Sequence, residues 1–181
     1  TVLPTTLPVV HLNNAPVFPG LVAPIILPPG PLVKAVEIAM SQTGHVALIM
    51  AKSGSKTPSI KDLYSIGVTA KILKKINMSD GGTSVLLQGV KRFRVVQFIK
   101  DAPFIVAKVD NLEDVVVKDI ELDALSRSVR GIVKSLSQTS PLFSEDLRLA
   151  MINVPTLGMM ADLITFTIGL EPELAQKYLE V

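Results

Sequence analysis

Leu7-Pro-Val-Val-His-Leu-Asn-Asn-Ala-Pro-Val-Phe-Pro-Gly-Leu-Val-Ala-Pro24 decides how this chain is read. It holds an apolar strand, Leu7–Leu12, that ends on the turn formers Asn13-Asn14. A Pro19-Gly20 corner follows, pairing a preset backbone angle with a residue free to take positive φ. A second apolar run then resumes, and strand, corner and strand in so short a span predict a strand-rich unit.

The pattern continues outward from there. Ile25–Leu27 is expected to be extended between prolines, and Pro31–Gln42 helical, with Pro31 in its first turn and Gly44 beyond its end. His45–Ala51 reads as a buried strand and Lys52–Ile60 as a loop. From Ile66 the apolar residues alternate, as in a half-buried strand, and the phase shifts at Leu73–Lys75 as a bulge would shift it. Ser79-Asp80-Gly81-Gly82 signals a hairpin, after which Thr83–Gln88, Arg92–Lys100 and Phe104–Leu112 are expected as strands.

Beyond that point the period changes to three and four. Leu122, Leu125, Val129, Ile132 and Leu136 predict a long helix with a narrow apolar seam. Ser144 is placed to cap a second helix, with Glu145 and Asp146 on its first turn. A third, from Pro155 to Gly169, is expected to bury Leu157, Met160, Ala161, Ile164 and Ile168. A fourth opens at Glu171-Pro172 and is expected still to run at Val181. Together with an opening residue that is not Met, this leads us to expect a longer natural chain.

Charge divides the chain as well. Residues 1–108 carry twelve Lys/Arg against four Asp/Glu, and residues 109–181 carry six against twelve. The sign changes near Asp110–Asp114. The expected class is therefore α+β: residues 1–112 form a mainly antiparallel β subdomain with one helix, and residues 113–181 a helical one. The stretch Ala15–Val33 has no charge across 19 residues, but six of them are proline, which a membrane-spanning helix does not tolerate. No membrane association is expected. With no Cys, disulfides and thiolate metal sites are excluded, and a reducing compartment fits.

Four stretches resemble the N-terminal domain of Lon-type ATP-dependent proteases. They are Leu7-Pro8-Val9 through Val17-Phe18-Pro19-Gly20, Asp62-Leu63-Tyr64 with Ile66–Ile72, Gly81–Arg94, and Pro155–Ile164 with Gln176–Glu180. They occur in the family's order over nearly the whole chain, although Asn13-Asn14 stands where the family usually has Arg-Asp. The resemblance implies a PUA-like pseudo-barrel followed by a helical bundle. It also implies a non-catalytic module of a hexameric serine protease, whose Walker-type ATPase and Ser-Lys peptidase modules would lie downstream. ATP and Mg²⁺ are implied only for those modules, and no cofactor is expected in this segment. A bacterial cytoplasm, or alternatively an organelle matrix, is the implied location.

The chain's own residues carry little chemistry. It has no G-x-x-x-x-G-K-[ST] with which to cradle ATP. His11 and His45 lie beside apolar strand residues, and two imidazoles do not make a metal site. Ser53-Gly54-Ser55-Lys56 matches S-x-x-K but sits in loop composition, and Asn77-Met78-Ser79 is a glycosylation sequon relevant only to a secreted protein. Lys71, Lys74, Lys75, Lys91, Arg92 and Arg94, with Phe93 between the arginines, form a basic cluster able to hold phosphate and stack a base. The competing reading, which is preferred, is that outward strand positions are ordinarily charged.

The apolar corner points elsewhere. Phe18, Pro19, Leu21, Val22, Ile25 and Ile26 cannot all turn inward. Val17, Phe18, Ile25 and Ile26 are assigned to the core, and Pro19, Leu21, Val22 and the hairpin's Met78 to a surface that contacts polypeptide. Exposed apolar groups beside a flexible Met suit promiscuous capture, which needs area more than fixed geometry. The function expected is recognition of unfolded, damaged or degron-bearing proteins and support of hexamer assembly. The alternatives are a stand-alone substrate receptor of the same fold and a PUA-like RNA-binding protein.

Overall fold

In the computed structural model, which describes residues 2–181 apart from 53–54, 116–118, 142–143 and the side chain of Asp146, the chain is α+β. Ser53 and Gly54 of the S-x-x-K match, and the Asp146 side chain, thus lie outside the described residues. The strands are β1 (Thr6–Leu12), β2 (Val22–Leu27), β3 (His45–Met50), β4 (Ile66–Asn77), β5 (Thr83–Lys100) and β6 (Val106–Asn111). The helices are α1 (Pro31–Ser41), α2 (Ile120–Thr139), α3 (Glu145–Asn153), α4 (Leu157–Ile168) and α5 (Pro172–Leu179). They fall into two compact units, Thr1–Glu113 with Glu171–Val181, and Asp114–Leu170.

The first unit is one six-stranded sheet in the order β2-β5-β4-β3-β1-β6. β5 also pairs with β6, so β5, β4, β3, β1 and β6 close into a ring. All pairings are antiparallel except β1 with β3. Closure removes free edges from the ring, and β2, paired among the described residues only with β5, is left as an edge strand.

Two expected strands, Thr83–Gln88 and Arg92–Lys100, are one continuous β5. The chain does not break at Gly89; it bulges, as the register shift opposite Thr69/Ala70 records. Gly89 is required there, because a methyl group on it would stand 2.3 Å from the Phe18 carbonyl oxygen. A second shift between Ile72 and Lys74 puts a bulge at Leu73, within the stretch where the phase changes in the sequence.

The core is aliphatic. One cluster joins Val10, Leu48, Ala70, Val85 and Leu87 to Val36 and Ala39 of α1. Another gathers Leu7, Val9, Ile49, Phe93 and Val109. A third holds Phe18, Ile66, Val68 and Leu179. That third cluster explains why α5, assigned by sequence to the helical part, belongs to the first unit. Leu179 is buried in it, Gln176 Nε2 donates to the Ile66 carbonyl at 3.1 Å, and Arg92 Nε donates to the Leu179 carbonyl at 2.8 Å. α5 also stops at Leu179, short of Val181, where continued helix was expected.

In the second unit, α2 starts at the cap Asp119, whose side chain accepts from the Glu121 amide. The apolar seam expected on α2 is covered only in part: Leu122 and Val129 are half-buried, Leu125, Ile132 and Leu136 are exposed, and Val133 and Ser137 are buried. Ser137 tolerates this because its hydroxyl donates to the Lys134 carbonyl at 2.8 Å. Ser144 caps α3 by accepting from the Leu147 amide, and Thr156 caps α4 by accepting from the Met159 amide. α4 buries Met160, Asp162, Leu163 and Thr165, whereas Ala161 and Ile168, expected inside, are exposed. Gly169 ends α4 at φ 67°, the left-handed cap that glycine adopts without strain.

Candidate functional site

The corner is a type II turn. The Leu21 amide donates to the Phe18 carbonyl at 3.3 Å, Pro19 occupies the first central position, and Gly20 has φ 80° at the second. The Leu21 carbonyl then accepts from the Gly89 amide at 2.8 Å, which sets the alternation along β2. Ala23, Ile25 and Leu27 turn their backbone toward β5 and their side chains onto the core. Val22, Pro24 and Ile26 turn theirs to the open edge and to solvent. Pro24, lacking an amide donor, therefore sits where no bond to β5 is lost.

Register extends this outward row across two further strands. Ile26 lies beside Ser84, which lies beside Ile76; Pro24 lies beside Leu86, which lies beside Lys74. Ile26 is 70% exposed, Ile76 51% and Val22 47%, so the outer face of β2-β5-β4 carries an apolar stripe. Met78 stands at its far end, in the hairpin closed by Met78 N–H to the Gly82 carbonyl at 2.9 Å. Lys71 and Lys74, both exposed, flank the stripe. Lys75 faces the other way and pairs with Glu37 of α1 at 2.6 Å.

Of the four residues singled out from sequence, Val22 and Met78 are exposed, while Pro19 and Leu21 are half-buried. Leu21 packs against the Phe18 cluster because the turn draws its backbone onto β5. Val22 and Met78 mark opposite ends of the stripe. Ile26 was assigned to the core and is instead its most exposed member. The residues missed (Ile26, Ile76 and the half-buried Leu86) carried a signal only in the alternation Val22-Pro24-Ile26, which the prolines obscured.

Several members of the basic cluster are engaged within the fold. Phe93 is fully buried in the ring and cannot stack a base. Lys75 pairs with Glu37, Lys91 with Glu113, and Arg92 holds the end of α5. Among the described residues no group of three or more His, Cys, Asp and Glu is placed to hold a metal ion. No helix described is long and apolar enough to cross a membrane.

His45 bonds locally, its Nδ1 standing 2.7 Å from the Thr43 carbonyl oxygen. His11 does more. It is half-buried in the wall of an 830 Å³ cleft formed by β1, residues 28–32, residues 56–61 and residues 101–105. Burial lowers its pKa from 6.5, partly offset by a hydrogen bond to the Lys56 backbone. Sequence spacing gave no sign of this cleft, because its lining comes from four separate segments.

Comparison with known proteins follows the same lines. The family model for the ATP-dependent protease La (LON) substrate-binding domain matches residues 6–181. The Lon protease of Treponema pallidum is 38% identical over 180 residues, covering 99% of this chain and 20% of that protein. That of Leptospira interrogans is 31% identical over 181 residues, covering 99% of this chain and 22% of that protein. The chain thus spans about a fifth of the length of these curated relatives. Among solved structures, the N-terminal domain of Mycobacterium avium complex Lon protease superposes with a TM-score of 0.68 at 23% identity, covering 97% of this chain and 90% of that one. The Lon N-terminal domain protein of Xanthomonas campestris gives a TM-score of 0.51 at 18% identity, covering 83% and 90%. At those identities the likeness is one of fold, and membership rests on the family match over nearly every residue: the chain belongs to the LON substrate-binding domain family.

Proposed function

We propose that this chain is the non-catalytic recognition domain of a Lon-like ATP-dependent serine protease, and that it holds unfolded, damaged or degron-bearing proteins by their apolar segments. The observation that carries the reading is the apolar stripe on the outer face of β2-β5-β4, with Val22, Ile26 and Ile76 exposed and Met78 at its end. Pro19 and Leu21 support one end of it from half-buried positions. Capture is by side chains. A client strand added to the open edge of β2 would meet Pro24, which has no amide to donate. In the whole protein, ATP and Mg²⁺ belong to other modules, and hexamer assembly multiplies weak contacts through effective concentration. We read the ring of strands as PUA-like and the setting as a bacterial cytoplasm.

The double substitution Val22→Ser with Ile26→Ser tests the site. Both side chains are exposed, so thermal unfolding should hardly change. Affinity for a permanently denatured client should fall by about tenfold, the order expected from losing two apolar contacts. Raising salt should weaken wild-type binding little, in contrast with the steep loss expected of a phosphate-bound nucleic acid. Unchanged client affinity in the folded double variant would refute the assignment.

A further inference from the structure

The proline-walled cleft beside His11 is a concave feature whose chemistry the stripe does not use. Pro28, Pro29, Pro31, Pro58 and Pro103 line it, with Phe104 among its apolar residues. Proline rings present no backbone donor and have a fixed φ, so this wall is apolar and already ordered, and a side chain inserted there does not have to immobilise it. The volume, 830 Å³, falls within the range of about 300–1,000 Å³ typical of clefts that enclose a ligand.

Thr57 and Ser59 add hydroxyls to the lining, and its charged groups are few and biased in sign. Lys56 and Lys61 stand exposed at the lining against one carboxylate, Asp101, and His11 adds a half-buried imidazole. The cleft is also continuous with the stripe. Pro28 follows Ile26 by two residues, and a methyl group on Gly81 of the Met78 hairpin would lie 3.5 Å from the Pro29 ring. The hairpin end of the stripe thus lies beside Pro29, at the rim of the cleft.

We infer that the cleft is a side-chain pocket for the bound client, taking an aromatic residue with an acidic residue next to it. The ring fills the space between the prolines, the adjacent carboxylate faces Lys56 and Lys61, and His11 hydrogen-bonds the client's polar backbone. This rests on the proposed recognition of polypeptide and adds a preference to it. The apolar anchor supplies most of the affinity, since exposed ion pairs contribute little, and the lysines set the order of preference.

A short fluorescent peptide carrying one Phe-Asp pair in a Gly/Ser background, titrated with the 181-residue chain, tests this. Binding should weaken strongly when Phe becomes Ser, and about threefold when Asp becomes Lys, the scale of solvent-screened charge pairs. Lys56→Glu with Lys61→Glu should reverse the second preference. Thr57→Trp, which adds bulk from an exposed lining position, should abolish peptide binding while the denatured client still binds through the stripe. No preference for Phe-Asp over Ser-Asp, or peptide binding untouched by both sets of substitutions, would overturn the pocket. If Val22→Ser with Ile26→Ser still weakens client binding in that case, only the pocket fails and the recognition reading stands.

Discussion

His11 shows how one residue's surroundings turn an ordinary side chain into a pH-dependent one. Its pKa is lowered from 6.5, first because burial penalises the imidazolium. The unfolded chain therefore binds the proton more readily than the folded one. The associated stability is fully present above 6.5 and is lost as pH falls through the lowered folded value. His11→Gln should flatten the thermal stability of the chain just below pH 6.5, a change read from melting curves at stepped pH. Asp62, whose carboxyl is held low by the Ser59 hydroxyl and amide, titrates in a separate and more acidic window. None of this was legible beforehand. The sequence marks His11 as a strand residue, and its partial burial depends on prolines brought up from elsewhere.

Elements were legible where a local signal and the tertiary demand coincide. Pro19-Gly20, Ser79–Gly82 and the caps Ser144 and Gly169 each encode a turn or an end in their own backbone chemistry, and each appears where expected. Periodicity did less well. On α2 the apolar seam is real as a stripe, yet Leu125, Ile132 and Leu136 face solvent, because period alone does not say which stripe is covered. The attachment of α5 to the first unit is carried by Gln176, Arg92 and Leu179, and no local pattern announces such contacts. Gln176→Ala removes the bonds to the Ile66 carbonyl and to Glu180, the latter 2.9 Å long. Losing a buried hydrogen bond of this kind costs about 1–3 kcal/mol. Faster amide exchange should follow, confined to α5 and the start of β4 and absent from α2–α4. Uniform exchange across both units would contradict this account of what holds α5.

At the scale of the whole chain, charge reverses around Asp110–Asp114 in the sequence, and in the structure the first unit ends at Glu113. The return of residues 171–181 to that unit is the part composition could not convey, since acidic α5 looks like its acidic neighbours. Residues 114–170 are thus an excursion: the polypeptide departs from one folded body and comes home to it. A protease nick anywhere along that excursion would sever the backbone without parting the pieces. The carboxy-terminal fragment would stay clasped through Leu179, Gln176 and Arg92. Such a nicked sample should elute as one species under native conditions and split into two only in detergent. In a cell, wear on the excursion would leave the proposed client-binding surface whole.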